Sequence, residues 1–199
     1  MTVVTDEDLM LRVRAGDSEA FEVLLDRWEG PARRYVFRTL GDAHVAEDLA
    51  QEAFLRLHRS APGYRPTARF STFFYTILGN LCRDRIRRIR RRPEEASMAP
   101  LGEGEREPED VSGAFPAPPE ALLAKERRAM VAEAVRSLPT HLMQAVALRE
   151  FEGLKYREIA DTLDCDLNEV KVLIHRGRKA LAEKLKKVIR SEGGDSWRA

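Results

Sequence analysis

The sequence predicts an all-α protein of two small helical domains joined by a flexible acidic linker, with a helix-turn-helix in the second domain. Apolar residues recur at helical spacing in both halves, and no run alternates with the period of two that a strand requires. A segment rich in proline and glycine separates the halves. We therefore expect an N-terminal domain over 1–92, a linker over 93–119, a C-terminal domain over 120–190 and a disordered tail over 191–199.

Four helices are predicted before the linker, each with a side chain that can cap its first turn. The candidate capping residues are Thr5, Asp17, Asp42 and Ser71. Thr5 is followed three residues later by Asp8, an arrangement that resembles a capping box. The second helix is expected to bend near Pro31 and to end at Gly41.

The third predicted helix has one apolar and one polar face. Its apolar residues recur every four positions: Val45, Leu49, Ala53 and Leu57. Its opposite face is left with Glu47, Asp48, Gln51, Glu52 and Arg56. The pattern predicts a helix that packs on one side and presents carboxylates and an amide on the other.

The segment from Pro93 to Glu120 has the composition of a flexible linker. It holds six of the ten prolines, eight acidic residues and a single base, Arg106. Without a recurring apolar face it cannot build a core of its own.

The second half carries the pattern of a helix-turn-helix. A helix is predicted over 120–137, Pro139 begins the next, and Gly153 is placed to end it in a left-handed conformation. A short helix then leads into a tight turn at Asp164 and Cys165. Asp166, with Glu169 three residues later, predicts the start of a last helix that ends in basic residues.

Charge is strongly segregated along the chain although the formal net charge is only +1. Seven arginines stand against one acid over 83–92, and eight basic residues stand against one acid over 171–190. Two basic stripes across an acidic linker favour a DNA-binding protein, whereas a merely solvated helix face is the simpler alternative.

Catalytic, metal-binding and membrane roles find no support in the residues. The four histidines are scattered, no glycine-rich phosphate loop is present, and Cys82 and Cys165 stand in no metal-ligand spacing. No apolar run is long enough to cross a membrane. We therefore expect a soluble, cytoplasmic protein that is not an enzyme, has no cofactor, metal ion or small-molecule substrate, and does not insert into a membrane.

Two sets of residues are candidates for DNA contact. In the last helix, Asn168, Glu169, Lys171 and Val172 would face base edges, while His175, Arg176, Arg178 and Lys179 would lie near phosphates. In the first half, aromatic residues immediately precede the arginine run, a combination that suits single-stranded DNA. Most of these rings must pack inward, which leaves Tyr64, Phe70 and Tyr75 as candidates for base contact.

Taken together, these segments resemble the extracytoplasmic-function group of bacterial sigma factors. Residues 46–54 (AEDLAQEAF) resemble the group's core-polymerase-binding motif, and 70–81 (FSTFFYTILGNL) with the following arginines resemble its −10 promoter segment. Residues 138–139, 148–154 (LREFEGL) and 156–160 (YREIA), together with the basic last helix, resemble its −35-binding domain.

The resemblance implies a role for individual residues. Asp48, Gln51 and Glu52 would bind the clamp helices of the largest subunit of the RNA polymerase core enzyme. Tyr64, Arg65 and Asn80 would hold an extruded −10 base of promoter DNA, and Arg83 and Arg87 would grip phosphates. The resemblance also implies promoter melting by base capture and an anti-sigma factor as a further partner.

Several positions depart from the pattern of the group. Asp164 stands where glycine is usual, Lys155 replaces a serine cap, and Thr76 stands where arginine is frequent. In the last helix Glu169, Val172 and Leu173 are atypical, which predicts an unusual −35 sequence. Two other functions fit parts of the chain: a self-sufficient helix-turn-helix repressor or activator, and a protein-interaction adaptor whose basic stripes are only solvated.

Overall fold

A computed structural model of the chain describes residues 4–91 and 130–192, with side chains as far as Lys186. Within these ranges all regular structure is helical and no strand occurs, so the predicted all-α class is confirmed. The predicted linker over 93–119 and the last seven residues, 193–199, lie outside the described residues.

The first half consists of four α-helices and one short 3₁₀ turn. The helices are α1 (Asp6–Arg14), α2 (Ser18–Leu40), α3 (Ala43–Ser60) and α4 (Phe70–Arg91), and the 3₁₀ turn is Ala61–Gly63. The helix α2 continues without a break through Pro31 and ends at Gly41, whose φ of +80° is the left-handed conformation predicted there.

Three of the four predicted caps are present. The side chains of Thr5, Asp17 and Asp42 accept hydrogen bonds from the backbone N–H groups three residues later, at 2.9–3.1 Å. The prediction for Ser71 was wrong, because α4 begins one residue earlier at Phe70. There the Glu7 carboxylate of α1 accepts the Phe70 N–H at 2.7 Å, so a distant side chain caps this helix.

Aromatic side chains hold the first half together around Trp28. Its ring meets those of Phe70, Phe74 and Tyr75 edge-on, with centroids 5.3–5.8 Å apart. Its indole Nε1 donates to Asp6 Oδ2 at 3.0 Å, which ties α1 to α2. The arrangement joins α1, α2 and α4 in one core, with Phe70 and Phe74 fully buried.

In the second half, the described residues begin with a helix over 130–136, here called α5. It continues with α6 (Thr140–Val146), a π-helical turn (Ala147–Phe151), α7 (Tyr156–Leu163) and α8 (Leu167–Glu192). Gly153, with φ of +69°, follows the π-helical turn as the predicted left-handed stop. The last helix extends two residues into the segment predicted to be a tail.

The predicted helix-turn-helix is formed by α7, the turn at 164–166 and α8. Asp164 ends α7 in the left-handed region at φ +53°, the conformation that a glycine would adopt at lower cost. Asp166 Oδ1 accepts the N–H groups of Asn168 and Glu169 at 2.7 and 2.8 Å and so caps α8. The side chains of Val170 and Ile174 anchor α8 in the core.

The two halves share one apolar core. Buried residues from α1 to α4 form a continuous cluster with Leu148, Leu154, Ile159, Val170 and Ile174 of the second half. A smaller cluster joins α5, α6 and α8, and Ile86 of α4 packs against it. The described residues of both halves therefore lie packed against each other, and the predicted domain boundaries stay a prediction.

We predict that Gly177→Ala destabilises the protein, because α6 crosses α8 at this glycine. A methyl group there would lie 2.5 Å from Val146 Cγ2, so the two helices would have to move apart. Overpacking of this kind costs about 1–3 kcal/mol, more than a helix gains from replacing glycine by alanine. Thermal and urea unfolding should show the loss.

Gly30→Ala is the matched control, since Gly30 also lies within a helix. The nearest atom to its added methyl group, at 3.1 Å, is the flexible end of Arg34. This variant should keep or slightly raise the unfolding midpoint. Equal midpoints for both variants would contradict the close crossing at Gly177.

Candidate polymerase-binding and DNA-binding surfaces

The candidate polymerase-binding surface is the outward face of α3. Asp48 and Gln51 are exposed there, and Glu52 is half-buried beside Arg56, whose Nε lies 2.8 Å from its carboxylate. This contact lowers the pKa of Glu52. The surface is anionic and rich in hydrogen-bonding groups.

Packing on the other side of α3 fixes the direction of this surface. The buried residues of α3 are Ala46, Ala50, Ala53, Phe54 and Leu57, and they face α2 and α4. The Phe54 ring meets Phe21 of α2 edge-on with centroids 6.4 Å apart. Of the predicted apolar residues, Ala53 and Leu57 are buried, whereas Val45 and Leu49 are only half-buried. The helical period thus identifies the packed side of α3 in part, and Ala46, Ala50 and Phe54 complete it.

Four of the candidate −10 residues are open to solvent or half-buried. Arg65, Asn80 and Arg87 are exposed, and the guanidinium of Arg83 donates to the Asn80 side-chain oxygen. Arg87 lies 3.7 Å from Asp84, a contact between two exposed side chains that contributes little. These groups could meet a phosphate or a base without rearrangement of the core.

The three aromatic side chains that were predicted to contact bases are buried. Tyr64, Phe70 and Tyr75 are 4%, 0% and 3% exposed, so none of them can stack on a base in this conformation. Tyr64 packs on Phe73 with centroids 5.3 Å apart, and burial raises its pKa to about 12. The expectation of base contact is corrected for this conformation, because the rings are needed to fill the core.

The candidate −35 residues all lie at the surface of α8. Exposed side chains there are Asn168, Glu169, Lys171, Val172, His175, Arg176, Arg178 and Lys179. Of these, Arg178 forms an ion pair with Glu150 at 2.6 Å, which ties α8 to the π-helical turn. Leu173 is only partly exposed and packs against the core, so the absence of arginine there removes no group from the outward face.

A contact between the two halves was missed in the sequence. The Glu152 carboxylate, whose side chain is 8% exposed, accepts a hydrogen bond from the Tyr75 hydroxyl and pairs with Arg38 at 3.0 Å. Burial raises the pKa of Glu152 and also that of Tyr75. Glu152 lies within the 148–154 motif noted in the sequence, but nothing there indicated this contact, since an acid at the end of a predicted helix is ordinarily solvated.

Further polar contacts join the halves around Glu152. The buried Gln144 side chain donates to the Gly79 carbonyl at 3.0 Å, and a Cβ at Gly79 would lie 3.5 Å from that amide. Arg69 pairs with Glu158 at 3.1 Å, and the guanidinium of Arg38 stacks over Phe151. These contacts come from four helices and the π-helical turn, so they fix the mutual orientation of the halves.

The packing brings residues from both candidate DNA surfaces into one cleft. Its volume is about 250 Å³, and its walls include Arg83, Arg87 and Arg90 from α4 and Glu169 and Leu173 from α8. Three guanidinium groups therefore stand opposite the flank of the predicted recognition helix.

Comparison with known proteins identifies the family. Residues 24–92 match the pattern of Sigma-70 region 2, and residues 128–181 match that of Sigma-70, region 4. The chain belongs to the sigma factors of bacterial RNA polymerase. The sequence is 32% identical to the RNA polymerase sigma-H factor of Pseudomonas aeruginosa over 194 residues. The aligned region covers 96% of this chain and 98% of the relative.

Another relative supports the extracytoplasmic-function group. The ECF RNA polymerase sigma-E factor of Escherichia coli K12 is 33% identical over 190 residues, covering 94% of this sigma factor and 97% of the relative. The chain therefore directs RNA polymerase to promoters. The self-sufficient regulator is disfavoured, because region 2 accounts for the half that it would leave as a sensor.

Solved structures share the fold of this sigma factor. CnrH in complex with the cytosolic domain of CnrY has a TM-score of 0.65 at 21% identity, covering 92% of this chain and 97% of that one. The sigma factor RpoE in complex with the anti-sigma factor NepR from Bartonella quintana has a TM-score of 0.60 at 20% identity, covering 83% and 96%.

Other chemistry receives little support from the described residues. Among them no group of histidine, cysteine and acidic side chains could hold a metal ion, and no helix is long and apolar enough to cross a membrane. Burial raises the pKa of the Cys82 thiol to about 12. The pKa of Cys165 is also raised, by burial and by neighbouring carboxylates, which favours the protonated thiol at both positions.

We predict that Glu152→Ala loosens the contact between the halves. The change leaves the Tyr75 hydroxyl without its acceptor and removes one partner from the mostly buried Arg38, a loss of about 3 kcal/mol in docking. Small-angle scattering should then report a larger radius of gyration than for the unmodified chain.

Glu133→Ala is the control, because Glu133 is an exposed carboxylate that pairs with Arg136 inside α5. Its scattering curve should match that of the unmodified chain. A Glu152→Ala curve that also matches would contradict the role of Glu152.

Proposed function

We propose that α3 binds the core enzyme through Asp48, Gln51 and Glu52. The observation that carries this proposal is the exposed carboxylate and amide face of α3, which the core packing directs away from the molecule. It lies inside the segment that matches Sigma-70 region 2. The resemblance noted above supplies the partner surface, the clamp helices of the largest polymerase subunit.

The exposed polar groups near the start and middle of α4 are proposed to bind the −10 element. Arg65 and Asn80 would hold a base extruded from the non-template strand, and Arg83 and Arg87 would neutralise adjacent phosphates. Extruding a base costs a few kcal/mol, and binding of the extruded base to the protein must compensate for this cost. Melting then follows from capture of unstacked bases, and the chain supplies no bond chemistry.

The outward face of α8 is proposed to read the −35 element. Its first turns carry Asn168, Glu169, Lys171 and Val172 toward base edges. Glu169 can accept from a cytosine amino group, and Val172 can contact a thymine methyl group. The phosphate contacts are proposed for His175, Arg176, Arg178 and Lys179.

The packed arrangement of the halves is proposed to be a closed form that opens on the promoter. The two elements lie roughly 25 base pairs apart, which is about 85 Å of DNA at 3.4 Å per base pair. Arg87 and Glu169 instead line one cleft of about 250 Å³. The two surfaces can bind their promoter elements at the same time only after the contacts at Glu152 and Gln144 have separated.

The remaining proposals concern domains, partners and location. We infer domains over 1–92 and 120–190, joined by a linker over 93–119 that allows opening. An anti-sigma factor is proposed as a regulator, supported by the fold shared with the sigma factor RpoE of Bartonella quintana, which was solved in complex with the anti-sigma factor NepR. The chain is proposed to act in the cytoplasm, where its polymerase lies, without enzymatic activity of its own.

Alanine substitutions on α3 test the proposed function. Asp48→Ala and Gln51→Ala should each weaken binding to purified core polymerase at least about tenfold, because each removes a polar group at the interface. Promoter-dependent transcription in vitro should fall with the affinity, while the unfolding midpoint stays unchanged.

Glu22→Ala serves as the control, since Glu22 is an exposed carboxylate on α2 outside this surface. It should bind core polymerase with unaltered affinity. Unaltered affinity in the Asp48 and Gln51 variants as well would remove the proposed interface.

A further inference from the structure

Leu55 is unusual among the apolar residues of α3. Its side chain is 52% exposed, the largest fraction among the exposed large apolar side chains of the described residues. Its neighbours Ala53, Phe54 and Leu57 are buried. Single exposed leucines are common on protein surfaces, so the surroundings of Leu55 decide whether it has a role.

Leu55 lies on the same helix face as the proposed polymerase-binding residues. It follows Asp48, Gln51 and Glu52 by seven, four and three positions, which are the spacings that align side chains on a helix. With a rise of about 1.5 Å per residue, the surface from Asp48 to Leu55 is about 10 Å long. The leucine thus extends the carboxylate and amide surface by one turn.

The polar residues on this face are not engaged with the rest of the described chain, apart from Glu52. Glu52 pairs with Arg56, whereas the side chains of Asp48 and Gln51 form no hydrogen bond or ion pair with another residue of 4–91 or 130–186. A free apolar side chain therefore stands beside two free hydrogen-bonding side chains. The core of a protein interface is apolar and has a polar rim that excludes water, and an exposed leucine with polar neighbours matches this arrangement, although leucine is less frequent at hot spots than Trp, Tyr or Arg.

We propose that Leu55 is the apolar anchor of the interface with core polymerase. It would insert into a recess of aliphatic or aromatic side chains on the partner helices, next to the donors that bind Asp48 and Gln51. The continuity of Leu55 with the α3 surface selects this occupant. The inference rests on the proposed polymerase-binding role of α3 and adds a residue for which the resemblance implies no role.

Leu55 is accessible to a partner in the closed form, which agrees with this assignment. The closed form buries Tyr75 and Glu152 between the halves, yet it leaves Asp48, Gln51 and Leu55 exposed. Core polymerase can therefore reach the whole α3 surface before the halves separate.

The test measures the affinity of full-length variants for purified core polymerase by fluorescence titration. Leu55→Ala should weaken binding at least about tenfold, and Leu55→Met, which keeps an apolar side chain of similar volume, should stay within about threefold. Val4→Ala, at a side chain 40% exposed and away from α3, should have no effect. Thermal unfolding of Leu55→Ala should be unaltered, since Leu55 contributes little to the core.

The outcomes separate this inference from the proposed function. If Leu55→Ala binds within twofold of the unmodified chain while Asp48→Ala loses affinity, the anchor is overturned and the polymerase-binding surface stands. If Leu55→Met binds as weakly as Leu55→Ala, the proposed insertion into an apolar recess is overturned, and the contact depends instead on the shape of the leucine side chain. Failure of the unmodified chain to bind core polymerase overturns both proposals.

Discussion

The packing of the two halves depends on a buried carboxylate. Glu152 is withdrawn from water between the halves, where the Tyr75 hydroxyl and the Arg38 guanidinium compensate for its lost hydration. A buried ion pair adds little net stability, but it permits only one geometry, because any shift leaves a charge without its partner. The shared apolar core supplies most of the driving force, and Glu152 with Gln144 determines how the halves fit together.

This constraint divides the functional surfaces into two groups. The α3 surface and most of the outward side of α8 face away from the other half, whereas the half-buried Arg83 and the exposed Arg87 and Glu169 line the cleft between the halves. In the proposed account, polymerase binds first through α3 and promoter contacts follow after separation.

Local features were predictable from the sequence, because capping and helical periodicity depend on neighbouring residues. Thr5, Asp17, Asp42 and Asp166 cap helices as predicted. The period of four in α3 identifies two of its buried residues, Ala53 and Leu57, and leaves the predicted polar residues at the surface. Contacts between distant residues were not predictable: Glu7 replaces Ser71 at the start of α4, and Glu152 meets Tyr75. Aromatic composition suggested base contacts for Tyr64, Phe70 and Tyr75, but composition does not reveal which rings the core requires.

Glu152 is proposed to hold the halves together in the free chain, and the halves are proposed to separate on promoter DNA. Fluorophores at Glu22→Cys on α2 and Asp161→Cys on α7, both exposed positions, would report this distance by single-molecule energy transfer in a Cys165→Ser background. We expect one short distance for the free chain and an increase of tens of ångströms in an active complex with core polymerase and promoter. An active promoter complex that retains the short distance would contradict it.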